Sequence, residues 1–270
     1  MLKVMRVSKT FNPGGANEVR ALQRVSLQIE PGSFVVVLGT NGSGKSTLLN
    51  AVAGSFEVDT GKIVLEGRDI TTWPEHKRAR HFGRVFQNPF SGTAPDMTIA
   101  ENFAMASSRG RQRGLQWALR PSLLRDLRAR VRTLKMGLED RLGNNIGSLS
   151  GGQRQALTLL MATWNRPDLL LLDEHTAALD PKSADQCIRL TEEVIAKEKL
   201  TTLMVTHSMQ QAVNLGDRII MMHRGRVIHD FRGADKLRMR VDDLLARFEE
   251  VRRRDQLDEH AAQLLGVQYV

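Results

Sequence analysis

The sequence predicts an α/β domain built around a parallel sheet, and three stretches carry that prediction. The apolar run Phe34–Leu38 leads into Gly39-Thr-Asn-Gly-Ser-Gly-Lys-Ser-Thr47, and a helix-like segment, Leu48 to Val52, follows. That order of strand, glycine-rich loop and helix is the context of a phosphate-binding loop. The second stretch, Leu169 to Leu172, is continuously apolar, as suits a strand buried on both faces of a parallel sheet. The third is Asp180-Pro181, with Asp as N-cap and Pro at the first helical position, opening a helix to about Lys199.

The remaining elements follow in order. Met1 to Val7, Arg24 to Ile29 and Lys62 to Leu65 read as strands separated by turns. Pro31-Gly32 turns the chain into the phosphate-loop strand. Arg84 to Gln87 reads as another short strand. From Asn88 to about Asn165 the periodicity becomes helical, which marks a helical subdomain inserted into the core. Thr201 to Thr206 is the next strand, placed beside the Asp173 strand. Arg218–Met222 and Arg226–Asp230 flank an Arg224-Gly225 turn as a hairpin. The expected division is a core of 1–87 and 166–232, a helical insertion of 88–165, and a charged helical tail of 233–270.

Composition limits the function. No run of 18 apolar residues exists, so no helical membrane span is expected. The start of the chain alternates like a strand rather than reading as a signal peptide, so a cytosolic location is expected. Cys187 is the one cysteine, so no internal disulfide forms, and its expected role is packing. The net charge of +9 is concentrated between Arg109 and Arg132, where only Asp126 opposes eight arginines. That stretch reads as a solvated helix face or as a surface for phospholipid headgroups. Nucleic acid ranks third, because only Trp117 offers a stacking ring.

The phosphate loop assigns the first chemistry. Glycines let backbone N–H groups turn toward a phosphate, and the helix start adds its positive end. Lys45 reaches the β- and γ-phosphates of a nucleotide, and Ser46 ligates Mg²⁺. Asp173, at the end of the apolar strand, offers a carboxylate to the same ion. Ser150-Gly-Gly-Gln153 opens a second helix whose N-terminus also suits an anion.

Leu149-Ser-Gly-Gly-Gln153, Asp168-Leu-Leu-Leu-Leu-Asp-Glu174, Ala177-Ala-Leu-Asp180 and Thr206-His207 stand in that order behind the phosphate loop. With them the chain resembles, over nearly its whole length, the ATP-binding subunit of a bacterial ABC transporter of the importer kind. The fold implied is a P-loop NTPase core of the ABC type, with a mixed sheet, an antiparallel β subdomain and a helical subdomain.

The resemblance implies several roles. ATP and Mg²⁺ are the cofactors, held by Phe11 on the adenine and by Gly39, Thr40, Asn41, Gly42, Ser43, Gly44, Lys45, Ser46 and Thr47. Glu174 is the general base for the attacking water, His207 the switch histidine at the γ-phosphate, and Gln87 the link to Mg²⁺ and the water. Two subunits pack head to tail, so Ser150, Gly151, Gly152 and Gln153 of one chain cover the ATP of the other, with Asp180 at the seam. His175 replaces the proline common after the catalytic glutamate, and could add pH sensitivity.

The loop Asn88 to Met97 faces a separate membrane permease, which places the chain at the cytoplasmic face of the membrane. The stretch Gly83 to Asn102 resembles importers that work with a solute-binding protein, of the kind proposed for aromatic amino acids. An exporter or lipoprotein-release subunit is the alternative. A soluble ATPase on ribosomes or DNA is a third, and no direct nucleic-acid contact is expected.

Overall fold

A computed structural model describes residues 1–110 and 117–253. The chain opens with β1 (Leu2–Phe11) and β2 (Val19–Ile29), followed by β3 (Phe34–Gly39) and α1 (Lys45–Ala53). Next come β4 (Thr60–Leu65), β5 (Arg68–Asp69), α2 (Glu75–Arg78) and β6 (Phe82–Val85). Three helices follow: α3 (Ile99–Ser107), α4 (Pro121–Arg132) and α5 (Gly151–Thr163). The chain then returns through β7 (Leu169–Asp173), α6 (Pro181–Glu198), β8 (Thr202–Thr206) and α7 (Met209–Asn214). It continues with β9 (Arg218–His223), β10 (Arg226–Arg232) and α8 (Gly233–Arg238), and 241–253 is again helical.

The strands form two sheets. β2-β1-β4-β5 is antiparallel, whereas β10-β9-β3-β8-β7-β6 is mixed, parallel except at the β9–β10 hairpin. The period of two along β3 divides the core. Val35 and Val37 join Leu48, Leu49 and Val52 of α1 and the antiparallel sheet on one face. Val36 and Leu38 join Phe103, Leu127, Val131 and Leu157 on the other. Both faces of the central strands are therefore covered, which is why Leu169–Leu172 shows no alternation.

The phosphate helix is anchored at its far end by Arg78. This side chain, 2% exposed, donates to the carbonyls of Ala51 and Val52 at 2.8 Å each. A cation there satisfies the last carbonyls of α1 and complements the helix dipole.

The structure adjusts several sequence boundaries. β1 and β2 run longer than expected because Arg6 and Arg24, at φ 51° and 52°, form bulges that interrupt the alternation. β6 ends at Val85, so Gln87 lies two residues beyond the strand instead of closing it. The tail is two helical pieces, with Leu244 and Phe248 buried against the core, and 254–270 lies outside the described residues. Cys187 is 1% exposed, and burial pushes its thiol up to about 12, which fits packing.

Part of the arginine-rich stretch bonds back onto the protein. Arg109 donates to the Ala162 carbonyl at 2.8 Å, Arg128 to that of Glu139 at 3.2 Å, and Arg130 lies over the Trp164 ring. Arg120, Arg125, Arg128, Arg130 and Arg132 are all exposed, and Arg111 and Arg113 lie outside the described residues.

Candidate active site

The loop Gly39–Thr47 joins β3 to α1 and wraps a concave run of backbone. Gly44 caps α1 at φ 94°, and a Cβ there would sit 2.4 Å from the Ala21 carbonyl oxygen, so glycine is required twice over. No side chain caps this helix start, which leaves its first N–H groups available to an anion. The buried Ser43 hydroxyl also has no hydrogen-bond partner. Lys45 is 5% exposed and its ammonium donates to the carbonyls of Gly39 and Thr40 at 2.8 and 3.0 Å. Burial pushes the Lys45 pKa down, while Glu174 and Asp173 pull it back up. These features fit a triphosphate: donors converge, and one flexible cation can reach outward.

Across from the loop, Ser46 Oγ lies 3.3 Å from Asp173 Oδ1. A hydroxyl and a carboxylate oxygen at the start of a phosphate helix are the hard donors Mg²⁺ takes when phosphates and water complete its shell. Among the described residues no cluster of three acidic, His or Cys groups suits a metal ion, in keeping with that sparse protein share. Burial raises the Asp173 pKa, and Arg84 opposes it from 3.7 Å at the other carboxylate oxygen.

Glu174 follows Asp173 but faces the site because its backbone turns. Its φ is 44°, a left-handed conformation, and its N–H still bonds Val205 in the sheet. Its Oε2 accepts from Gln87 Nε2 at 3.2 Å and lies 3.3 Å from His207 Nδ1. The segments just beyond β6, β7 and β8 thus bring Gln87 and His207 onto the Glu174 carboxylate. The parallel pairing of β7 with β8 agrees with the position expected for His207.

His175 differs from the expectation attached to it. It is 0% exposed, contacts Thr191 Oγ1 at 3.0 Å through Nε2, and burial pulls its pKa down to about 4. It is therefore neutral near pH 7 and packs the turn onto α6.

Ser150 and Gly151 stand exposed at the start of α5. Ser150 Oγ accepts from the Gln153 N–H at 3.3 Å, and Gln153 Oε1 accepts from the Ser150 N–H at 3.2 Å, a reciprocal capping box. Gly152 lies against α6, where a Cβ would come within 2.8 Å of Ser183 Cβ. Asp180 caps α6 through the Ser183 N–H at 3.0 Å, so the two loops share one support. Phe11 is half-buried, edge-on to Phe56 with centroids 5.3 Å apart, and the Lys9 ammonium lies 5.7 Å from its centroid.

Several residues near the site carried no motif. Gln155 of α5 donates to the Phe86 carbonyl at 3.1 Å, tying the Ser150 helix to the backbone just before Gln87. Asn102, 2% exposed, fastens the loop after Gln87 through Ala94, Met97 and Thr98. Beside that loop runs a groove of about 510 Å³ lined by Arg84, Phe86, Gly92, Asn102, Met105 and Thr158, away from the phosphate loop.

The profile of the ABC transporter family matches residues 22–177. The chain is 41% identical over 250 residues to the tyrosine transport ATP-binding protein of Clostridioides difficile (strain R20291), covering 92% of this chain and 99% of that one. It is 33% identical over 230 residues to the spermidine/putrescine import ATP-binding protein PotA of Haemophilus influenzae, covering 85% of this chain and 57% of that one. Among solved structures it is similar to the dimeric ATP-binding cassette MJ0796 bound to ADP and Pi, with a TM-score of 0.72 and 28% identity over 86% of this chain and 98% of that one. The chain belongs to the ABC transporter family, as an ATP-binding, ATP-hydrolysing subunit.

Proposed function

We propose that this subunit powers uptake of a small solute through a separate membrane permease, working as a head-to-tail homodimer at the cytoplasmic face. The observation that carries the reading is the Glu174 carboxylate held between Gln87 and His207, beside Ser46 and Asp173. Lys45 and the loop N–H groups grip the phosphates, and Phe11 stacks on the adenine. Ser46 and Asp173 would hold Mg²⁺, which would supply positive charge at the phosphates. Glu174 accepts a proton from the water that attacks the γ-phosphorus, ADP leaves, and His207 bonds the phosphoryl oxygens. Asp173, as a residue that would hold the metal, would be a poor proton acceptor, which leaves Glu174 for that role.

Each nucleotide is covered by the Ser150–Gln153 loop of the other subunit, with Asp180 at the seam. Closure around ATP shifts the helical region of 88–165 against the core. The groove beside the loop after Gln87 receives the permease and carries that shift onward. Among the described residues no helix is long and apolar enough to cross a membrane, consistent with a separate pathway chain. The similarity to a tyrosine transport subunit supports an aromatic amino acid or related compound as cargo, delivered by a solute-binding protein.

The test is mild detergent extraction of tagged Glu174→Gln protein from its host with ATP and Mg²⁺, followed by mass spectrometry. A multi-span permease with a solute-binding protein is the expected result. A permease with no binding protein would point to export or lipoprotein release. Ribosomal or DNA-bound partners alone would overturn the transport reading.

A further inference from the structure

We infer that Gln211 is a positioning residue, an amide clamp that fixes the catalytic turn of Glu174 against the strand end that carries His207. Thr206, the last residue of β8, donates its hydroxyl to Gln211 Oε1 at 2.8 Å. Gln211 Nε2 donates in turn to Thr176 Oγ1 at 3.0 Å, two residues beyond Glu174. The chain of bonds has a fixed polarity. The Ser208 N–H already donates to Thr206 Oγ1 at 3.0 Å, which leaves the Thr206 hydroxyl proton for Gln211. Thr176 and Thr206 are 6% and 2% exposed, so water does not readily replace these bonds.

The clamp is not needed to cap α7. Ser208 does that, its hydroxyl accepting from the Gln211 backbone N–H at 3.3 Å. The amide side chain is therefore spent on crossing between two loops. A carboxamide is suited to this, because one rigid plane holds a donor and an acceptor without a charge to bury. The loops it joins are the two that bring Glu174 and His207 to 3.3 Å. His175, bonded to Thr191 on α6, holds the same turn from its other side. With both tethers in place, the left-handed Glu174 has little freedom to swing away from the water it deprotonates.

This inference rests on Glu174 as the base and His207 as its neighbour, and the test separates the two claims. The full-length chain is assayed for ATP turnover as Gln211→Leu, Gln211→Glu, Thr176→Val and Glu174→Gln, with the folded fraction of each measured by thermal unfolding. Gln211→Leu keeps the volume and removes both bonds. Its kcat is expected to fall about tenfold while KM for ATP changes less than about twofold. Gln211→Glu is expected to recover to within about threefold, because both threonine hydroxyls can donate to a carboxylate. Thr176→Val removes one bond and is expected to fall between them. Hydrogen exchange at the Ala177 amide, which bonds the Glu174 carbonyl at 2.9 Å, is expected to quicken in Gln211→Leu.

Normal kcat per folded molecule in Gln211→Leu, beside an inactive Glu174→Gln, overturns the clamp alone. Equal losses in the Leu and Glu variants overturn it as well. Turnover by Glu174→Gln removes the base assignment on which the clamp depends.

Discussion

The chain has two helix starts suited to phosphate, α1 and α5, and it finishes them differently. α1 begins at Gly44 with no side-chain cap, beside a buried Ser43 hydroxyl that lacks a partner. α5 begins at Ser150 inside a complete capping box with Gln153. The first start leaves uncapped N–H groups that an anion can bond. The second is satisfied within its own chain and stands exposed, yet its Ser150 hydroxyl accepts a bond and still has a proton to give. In the head-to-tail dimer proposed above, the difference separates a resident site from a cover: α1 would hold phosphate in the single subunit, and α5, stable alone, would add a donor when a second subunit arrives.

Lys45→Ala tests the resident half and carries the largest expected effect. It removes the one cation of the loop, so turnover should fall about 100-fold or more, and ATP binding to the single subunit should weaken, as read by fluorescent-nucleotide titration. Gly151→Asp tests the cover. Gly151 is exposed, and a Cβ there meets only Leu179 at 3.3 Å, so the fold should tolerate the change. The added carboxylate should cut hydrolysis roughly tenfold to 100-fold by repelling phosphate across the seam, with ATP binding to the monomer nearly unchanged. Equal loss of monomer binding in both variants would erase the distinction between the two helix starts.

Gly152→Ala probes the support beneath the cover. Its Cβ would lie 2.7 Å from Ser183 Oγ, so the unfolding free energy should drop by about 1–3 kcal/mol, and Ser183→Gly should restore much of it in thermal melts. The smallest effect lies away from both helix starts. Burial pushes the Asp230 carboxyl up, but hydrogen bonds from Arg218 and Arg232 outweigh this and hold it at about 2, against 3.8 ordinarily. A depressed folded pKa stabilises above the unfolded value. Asp230→Asn should therefore cost on the order of 1–2 kcal/mol at neutral pH, and the difference from wild type should vanish between about pH 4 and pH 2. A pH-independent difference would mean that the loss is one of packing.

The resident half was legible in the sequence because its chemistry is local. Gly39 to Thr47 are contiguous, and the backbone they need follows from residue type. Glu174 was legible through its neighbours, but its aim depends on a left-handed backbone that residue type alone does not announce. Gln155, Asn102 and Gln211 gave no signal, since each acts through side-chain bonds that residue type does not announce: Gln155 reaches 69 residues away, Gln211 both 5 and 35, and Asn102 between 4 and 8. The arginines between 109 and 132 were legible only in part. Their density suggested a solvated face, and Arg120, Arg125, Arg128, Arg130 and Arg132 are exposed, but Arg109 and Arg130 also bond carbonyls of α5 and its end. Charge counts cannot tell a guanidinium that satisfies a carbonyl from one that faces water. The bulges at Arg6 and Arg24 likewise hid the true length of the first two strands.

The lone thiol has a practical consequence. Cys187 lies 1% exposed with its pKa near 12, so under ordinary labelling conditions the folded chain behaves as though it had no cysteine. A reporter cysteine placed at the Ser150 loop or on Asp180 would then be the sole reactive handle. Cross-linking, spin labels or dyes could follow the approach of two subunits without a single further change to the protein.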